Sequence, residues 1–138
     1  MPIEMTIKGL TVDPVTNMPI VILRDESEQR VLPIWVGVFE ANAIALQIEN
    51  VHTPRPMTHD LLRNVIDDLQ ARVLKVVICD VKENTFFALI HLETSGGQVA
   101  IDARPSDAIA LALRTRAPIL VEEHVIANAK SVDVKPDN

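Results

Sequence analysis

The 138-residue sequence is poor in aromatics, with three Phe, one Trp and no Tyr. Aliphatic side chains must therefore fill its core, and the scarcity argues against the stacking platforms that hold unpaired bases. Its one cysteine, Cys79 in "VVICDV", leaves no intrachain disulfide and no thiolate metal site, which suits a reducing compartment; it reads as a buried strand residue. No run approaches the ~18 apolar residues of a membrane span. The start "MPIEMTIKGL" carries Glu4 and Lys8 in place of a secretory apolar segment, so the expectation is a cytoplasmic protein without a membrane part. Positive charge is also short: 13 Lys and Arg stand against 19 Asp and Glu, a net charge of −6. A broad electrostatic grip on nucleic acid is thus disfavoured, and any polyanion must be held by a local patch. The sequence has no phosphate-cradling Walker loop, no Gly-rich dinucleotide turn and no G-x-S-x-G elbow, and its four histidines lack zinc-ligand spacing.

What is present is a chain that is 48% hydrophobic and long enough to bury roughly two thirds of its unfolded surface in one core. "IEMTIKGLTV", "PIVILRD" and "RVLPIWV" read as strands, with Pro33 at an edge or bulge. "VFEANAIALQI" (38–48) is apolar around nearly the whole helical circumference, which predicts a sandwiched helix ended by Asn50. A second helix follows "VHTPRPM", with Leu61, Leu62, Val65, Ile66 and Leu69 along one stripe. "VLKVVICDV", "TFFALIHLE" and "QVAIDA" form a meander around turns at 82–84 and 95–97. The helix "SDAIALALRTR", the strand "PILV" and the helix "EEHVIANA" complete the pattern. The expected fold is α+β: a mixed, largely antiparallel sheet with two or three packed helices, in one domain over residues 1–129. Residues 130–138 form a polar tail.

One arrangement occurs twice. "RPMTHDLL" (55–62) and "RPSDAIAL" (104–111) each run Arg, Pro, hydroxyl, Asp and then an apolar helix. Pro holds the residue before it extended, Thr58 or Ser106 suits an N-cap, and Asp60 and Asp107 in the first turn favour the helix dipole. That leaves Arg55, Arg104 and His59 unexplained. An Arg beside free helix N–H groups makes an anion site, and two could hold adjacent phosphates; alternatively, each Arg closes an ion-pair network. Glu40, ionisable in an apolar helix, needs a partner, with Arg55 and Arg104 as candidates. It could equally join Asp60, Asp102 and Asp107 in an oxygen-ligand set for Mg²⁺ or Mn²⁺. His59 is either a general base or a structural hydrogen-bond donor.

"PIWVGVFEANAIAL", "PRPMTHDLL", "FFALIHL" and "IDARPSDAIALALR" together resemble the bifunctional nuclease domain family, over about residues 33–121. Asn50 departs from the pattern, standing where many relatives have Gly. The resemblance implies an α+β domain and a nuclease acting on both DNA and RNA. Its signature positions correspond to Glu40, Arg55, Thr58, His59, Asp60, Asp102, Arg104, Ser106 and Asp107. An enzyme that cuts DNA cannot rely on the ribose 2′-hydroxyl, so water must attack, most easily activated by a divalent ion. On this reading Asp60, Asp102 and Asp107, with Glu40, hold Mg²⁺ or Mn²⁺. Arg55 and Arg104, with Thr58 and Ser106, bind phosphate, and His59 transfers a proton beside the catalytic carboxylates. The alternative is a non-enzymatic module that uses the same groups to hold an anionic ligand. A homo-oligomer, with a two-fold dimer through the region 19–36 and Trp35, is expected to cover exposed sheet edges.

Overall fold

The structure, a computed structural model, describes residues 1–27 and 29–129; the expected polar tail lies outside the described residues. The elements are β1 (Pro2–Val12), β2 (Pro19–Asp25), β3 (Val31–Trp35), α1 (Val38–Ile48), α2 (Thr58–Asp68), β4 (Arg72–Lys82), β5 (Thr85–Thr94), β6 (Gly97–Ala103), α3 (Pro105–Thr115), β7 (Ile119–Glu122) and α4 (Glu123–Ala129). The fold is α+β as expected, with the short α4 as a fourth helix.

All seven strands form one sheet in the order β3-β2-β1-β7-β4-β5-β6. Two antiparallel meanders, β1-β2-β3 and β4-β5-β6, are joined by β7, which runs antiparallel to β1 and parallel to β4. Local chemistry sets the turns. Glu83 and Asn84 both take positive φ, as a two-residue hairpin between right-twisted strands requires. Asn50, at φ 59°, ends α1, and the next amide, Val51 N–H, returns to the Leu46 carbonyl at 2.9 Å.

Strand periodicity divides the sheet. Val76, Ile78, Ala88, Ile90 and Leu92 are buried and share one core cluster with Ile109 and Leu111 of α3. Cys79, read as buried, is only half-buried and lies out of phase with its buried neighbours Ile78 and Val76. Desolvation, and then the charges of Asp80, Asp102 and Glu122, push its thiol pKa up, so it is a poor nucleophile.

α3 is the most buried helix: residues 108–112 are all at most 1% exposed. Its alanines let α1 approach closely, and Ala41 and Ala43 are the small buried side chains of that helix. Ala110→Leu should overpack this contact and cost about 1–3 kcal/mol, seen as a lower melting temperature. An unchanged melt would mean that the α1–α3 contact can open.

Two expectations fail here. α1 is not sandwiched, because Val38 and Phe39 are 64% and 86% exposed. On α2 only His59 and Ile66 are buried, while Leu61, Leu62, Val65 and Leu69 face outward. Both helices pack mainly against α3, with smaller contacts from α1 to β2 and from α2 to β4, and these partners leave the other side of each helix open.

Candidate active site

The N-termini of α1, α2 and α3 meet, and each carries an acid at its third position: Glu40, Asp60 and Asp107. A carboxylate there compensates the partial positive charge of the first turn. Side chains from the other helices then tie these acids together. Arg104 donates from Nε to Asp107 Oδ2 at 2.9 Å and from Nη2 to Glu40 Oε2 at 2.9 Å. His59 Nε2 lies 2.8 Å from Asp107 Oδ1. An ionised carboxylate can only accept, so Nε2 carries the proton and Nδ1 is left with the lone pair.

Gly37, which caps α1, belongs to the same arrangement. A Cβ there would stand 2.3 Å from Glu40 Oε1, so the small residue lets that carboxylate fold back over the helix start.

These groups line one wall of a cavity of about 670 Å³. Glu40, Thr58, His59, Asp102, Arg104 and Asp107 border it, and Phe39, Met57, Leu62, Ile66, Ile90, Leu92, Ile101 and Leu111 supply its apolar surface. Arg55, Asp60 and Ser106 do not border it.

The two junctions are therefore not equivalent. "RPMTHD" has two more residues between Arg and Asp than "RPSD". Arg104 consequently stands at the N-cap of α3, whereas Met57 takes that place in α2 and Arg55 lies two residues outside it. Arg55 is exposed and its side chain has no partner among the described residues, so it stands outside the ion-pair network that holds Arg104. Neither expected cap residue serves as one: Thr58 is the first residue of α2, and Ser106 lies buried inside α3 behind Pro105.

The expected metal set is not brought together either. Asp60 Oδ1 accepts from Arg114 Nε at 2.6 Å, and Oδ2 from the Met57 backbone N–H at 3.0 Å. Asp107 is held by His59 and Arg104. Asp102 sits between Ile101 and Ala103, which pair with Ile90 and Ala88 on the core face, so its side chain leaves the opposite face of β6. Consistent with that, its charge is felt by Cys79. Among the described residues no three His, Cys, Asp or Glu side chains form a group that could hold a metal. Glu40, Asp60 and Asp107 are held by Arg and His side chains and Asp102 lies on the other face of β6, so as arranged these residues do not form a Mg²⁺ or Mn²⁺ cage.

Arg114 went unnoticed in the sequence. Its side chain is 2% exposed, and besides Asp60 it donates to the carbonyls of Ala110 at 2.9 Å and Ala43 at 3.0 Å. One guanidinium thereby joins all three helices.

Desolvation alone would raise the pKa of both aspartates. It is outweighed for Asp60 by the Met57 N–H and Arg114, and for Asp107 by His59 and Arg104, so both lie below their ordinary value of 3.8. A depressed carboxylate pKa contributes stability above the unfolded value, and that contribution is lost as pH falls through the folded one. Thermal stability should therefore drop as pH falls below about 4, and Asp60→Asn should flatten that acid limb. An acid limb unchanged by Asp60→Asn would contradict the coupling to Arg114.

The comparisons with known proteins bear on this site. A model of the bifunctional nuclease domain matches residues 21–133, a span that contains all three helix starts. The chain belongs to the bifunctional nuclease domain family. Within that family it is 43% identical over 126 residues to an uncharacterized protein of Mycobacterium tuberculosis, a match covering 91% of this chain and 75% of the relative. Bifunctional nuclease 2 of Oryza sativa subsp. japonica is 27% identical over 133 residues, covering 94% of this chain and 41% of the rice protein. Bifunctional nuclease 2 of Arabidopsis thaliana is 28% identical over 109 residues, covering 77% and 33%. This chain thus spans about two fifths of that rice protein and one third of that Arabidopsis protein. No helix among the described residues is long and apolar enough to cross a membrane.

Proposed function

We propose that the chain is a nuclease that hydrolyses phosphodiester bonds in DNA and RNA at the cavity bordered by His59, Asp107 and Arg104. The observation that carries this reading is the 2.8 Å contact of His59 Nε2 with Asp107 Oδ1, in a wall that also holds Arg104. Asp107 fixes the tautomer and orientation of the ring, and Nδ1 takes a proton from an attacking water. The water oxygen bonds to phosphorus, the bond to the leaving sugar oxygen breaks, that oxygen takes a proton from solvent, and the His59 ring then returns its proton to solvent. Arg104 uses Nε and Nη2 to hold its two acids, which leaves the Nη1 donors for a non-bridging phosphoryl oxygen. Glu40 positions Arg104.

A second reading rests on the apolar remainder of the cavity. Leu62, Ile66, Ile90, Leu92 and Leu111 offer nothing to a phosphate, and they favour a binding module that takes a ligand with an apolar part. End-labelled single-stranded DNA and RNA, incubated with the purified chain and with its His59→Ala variant, separate the two. Cleavage of both substrates by the parent alone supports the nuclease; equal cleavage by both proteins, or by neither, contradicts it. Parallel reactions with Mg²⁺, Mn²⁺ and EDTA test the divalent-ion expectation separately.

A further inference from the structure

The two edges of the sheet differ. β3 carries Pro33 in its middle, and the missing N–H there protects that edge from a further strand. β6, "GQVAIDA", has no Pro, no Lys and no Arg, and six of its seven residues are exposed. Among the described residues its outer edge pairs with nothing. Such an edge invites a further strand.

The sequence of β6 is complementary to itself. An antiparallel copy centred on Ala100 places Val99 opposite Ile101 and Gln98 opposite Asp102, so apolar meets apolar and an amide meets the carboxylate. The neighbouring register centred on Ile101 would instead set Asp102 against Ala100 and Val99 against Ala103, losing both matches.

The two-fold axis of an antiparallel strand pair stands perpendicular to the sheet, so the helices of both copies lie on the same face. α2 borders the cavity together with Ile101 of β6, and its outward stripe is Leu61, Val65 and Leu69, at 56%, 45% and 75% exposure. A spacing of four puts these three on one side of the helix, ready to meet the same stripe across the axis.

We propose that the chain forms a two-fold dimer in which β6 pairs antiparallel with β6 of a second copy about Ala100, while the Leu61–Val65–Leu69 stripes of the two α2 helices pack above the joint. The occupant is a second copy because β6 laid antiparallel on itself about Ala100 supplies both halves of each match, Val99 with Ile101 and Gln98 with Asp102. The dimer sets Gln98 of the partner subunit beside Asp102 on the face of the sheet opposite the helices, while Val99 and Ile101 meet on the helix side of the joint. It also moves the assembly surface from the expected Trp35 region to the opposite edge; Trp35 is half-buried, with its indole N–H held by Asp13 at 2.8 Å.

Sedimentation equilibrium of the full chain and disulfide trapping test this without any assay of activity. The expected mass is twice 15.3 kDa at micromolar concentration. Directly opposed residues have Cα atoms about 4.5–5.5 Å apart, within disulfide reach. In a Cys79→Ser background, Ala100→Cys should therefore cross-link under mild oxidation and Val31→Cys on β3 should not. Val65→Glu should weaken the dimer roughly tenfold or more with an unchanged far-ultraviolet spectrum. A 15.3 kDa species at all concentrations overturns the proposal. So does a dimer that cross-links through Val31→Cys, or through neither position.

Discussion

Arg114→Ala is expected to destabilise the protein by about 3–5 kcal/mol, the usual cost of removing one partner from a buried ion pair. Its effect should exceed that of any exposed charge. The guanidinium joins Asp60 of α2, the Ala43 carbonyl of α1 and the Ala110 carbonyl of its own helix. Removal strands the Asp60 carboxylate and takes away the joint that holds α2 and the middle of α1 to α3, while the Arg104 and His59 links between the helix starts remain. The melting temperature should fall by roughly 10 °C or more. The double variant Asp60→Leu with Arg114→Met should recover much of this loss, because a desolvated pair can be replaced by apolar packing at little net cost. A melt within a few degrees of the parent for Arg114→Ala alone would show that the three-helix joint does not depend on it.

His59→Ala is expected to lower cleavage by about 10²- to 10⁴-fold, the range associated with general acid–base catalysis. His59 is buried and its side chain bonds to the side chain of Asp107 rather than to a backbone group, so secondary structure should survive the change. His59→Gln keeps a hydrogen-bonding side chain of similar length but cannot take up the proton. It should hold the fold and still be inactive. Activity near that of the parent in His59→Gln would make the ring a structural donor, the other role the sequence leaves open.

Local features were legible because short-range chemistry determines them. The α1 boundaries, the Asn50 stop and the turn at 83–84 follow from apolar periodicity and from residues that tolerate positive φ. The β4-β5-β6 meander follows from alternation and turn chemistry. The place of β7 was not legible: "PILV" is four residues of strand with nothing that names β1 and β4 as partners. Nor could a linear pattern show that α1 and α2 each leave an apolar side open, since periodicity tells which residues share a face and not what covers it.

At the site, Glu40, His59, Arg104 and Asp107 were singled out and do meet. Two further signals are present in the sequence. Arg114 ends the apolar run "AIALALR", and the reasoning that marked Glu40 as an ion in need of a partner applies equally to it. Asp102 alternates with Ile101 and Ala103, and the period of a strand already assigns it to the opposite face. What separates Asp60 from Asp107 is different in kind. Both are third residues of a helix, and only the packing of α2 on α3 decides which meets Arg114 and which meets His59.

That distinction is the most direct test of the account, in one comparison: steady-state cleavage of labelled single-stranded DNA, with thermal melts, for Asp107→Asn and Asp60→Asn. The account predicts that Asp107→Asn loses cleavage by at least ~10²-fold, as expected when a catalytic base loses its orienting acid, while Asp60→Asn lowers the melting temperature and retains most activity below it. Loss of activity in Asp60→Asn with Asp107→Asn still active would contradict it and place the chemistry at the other helix start.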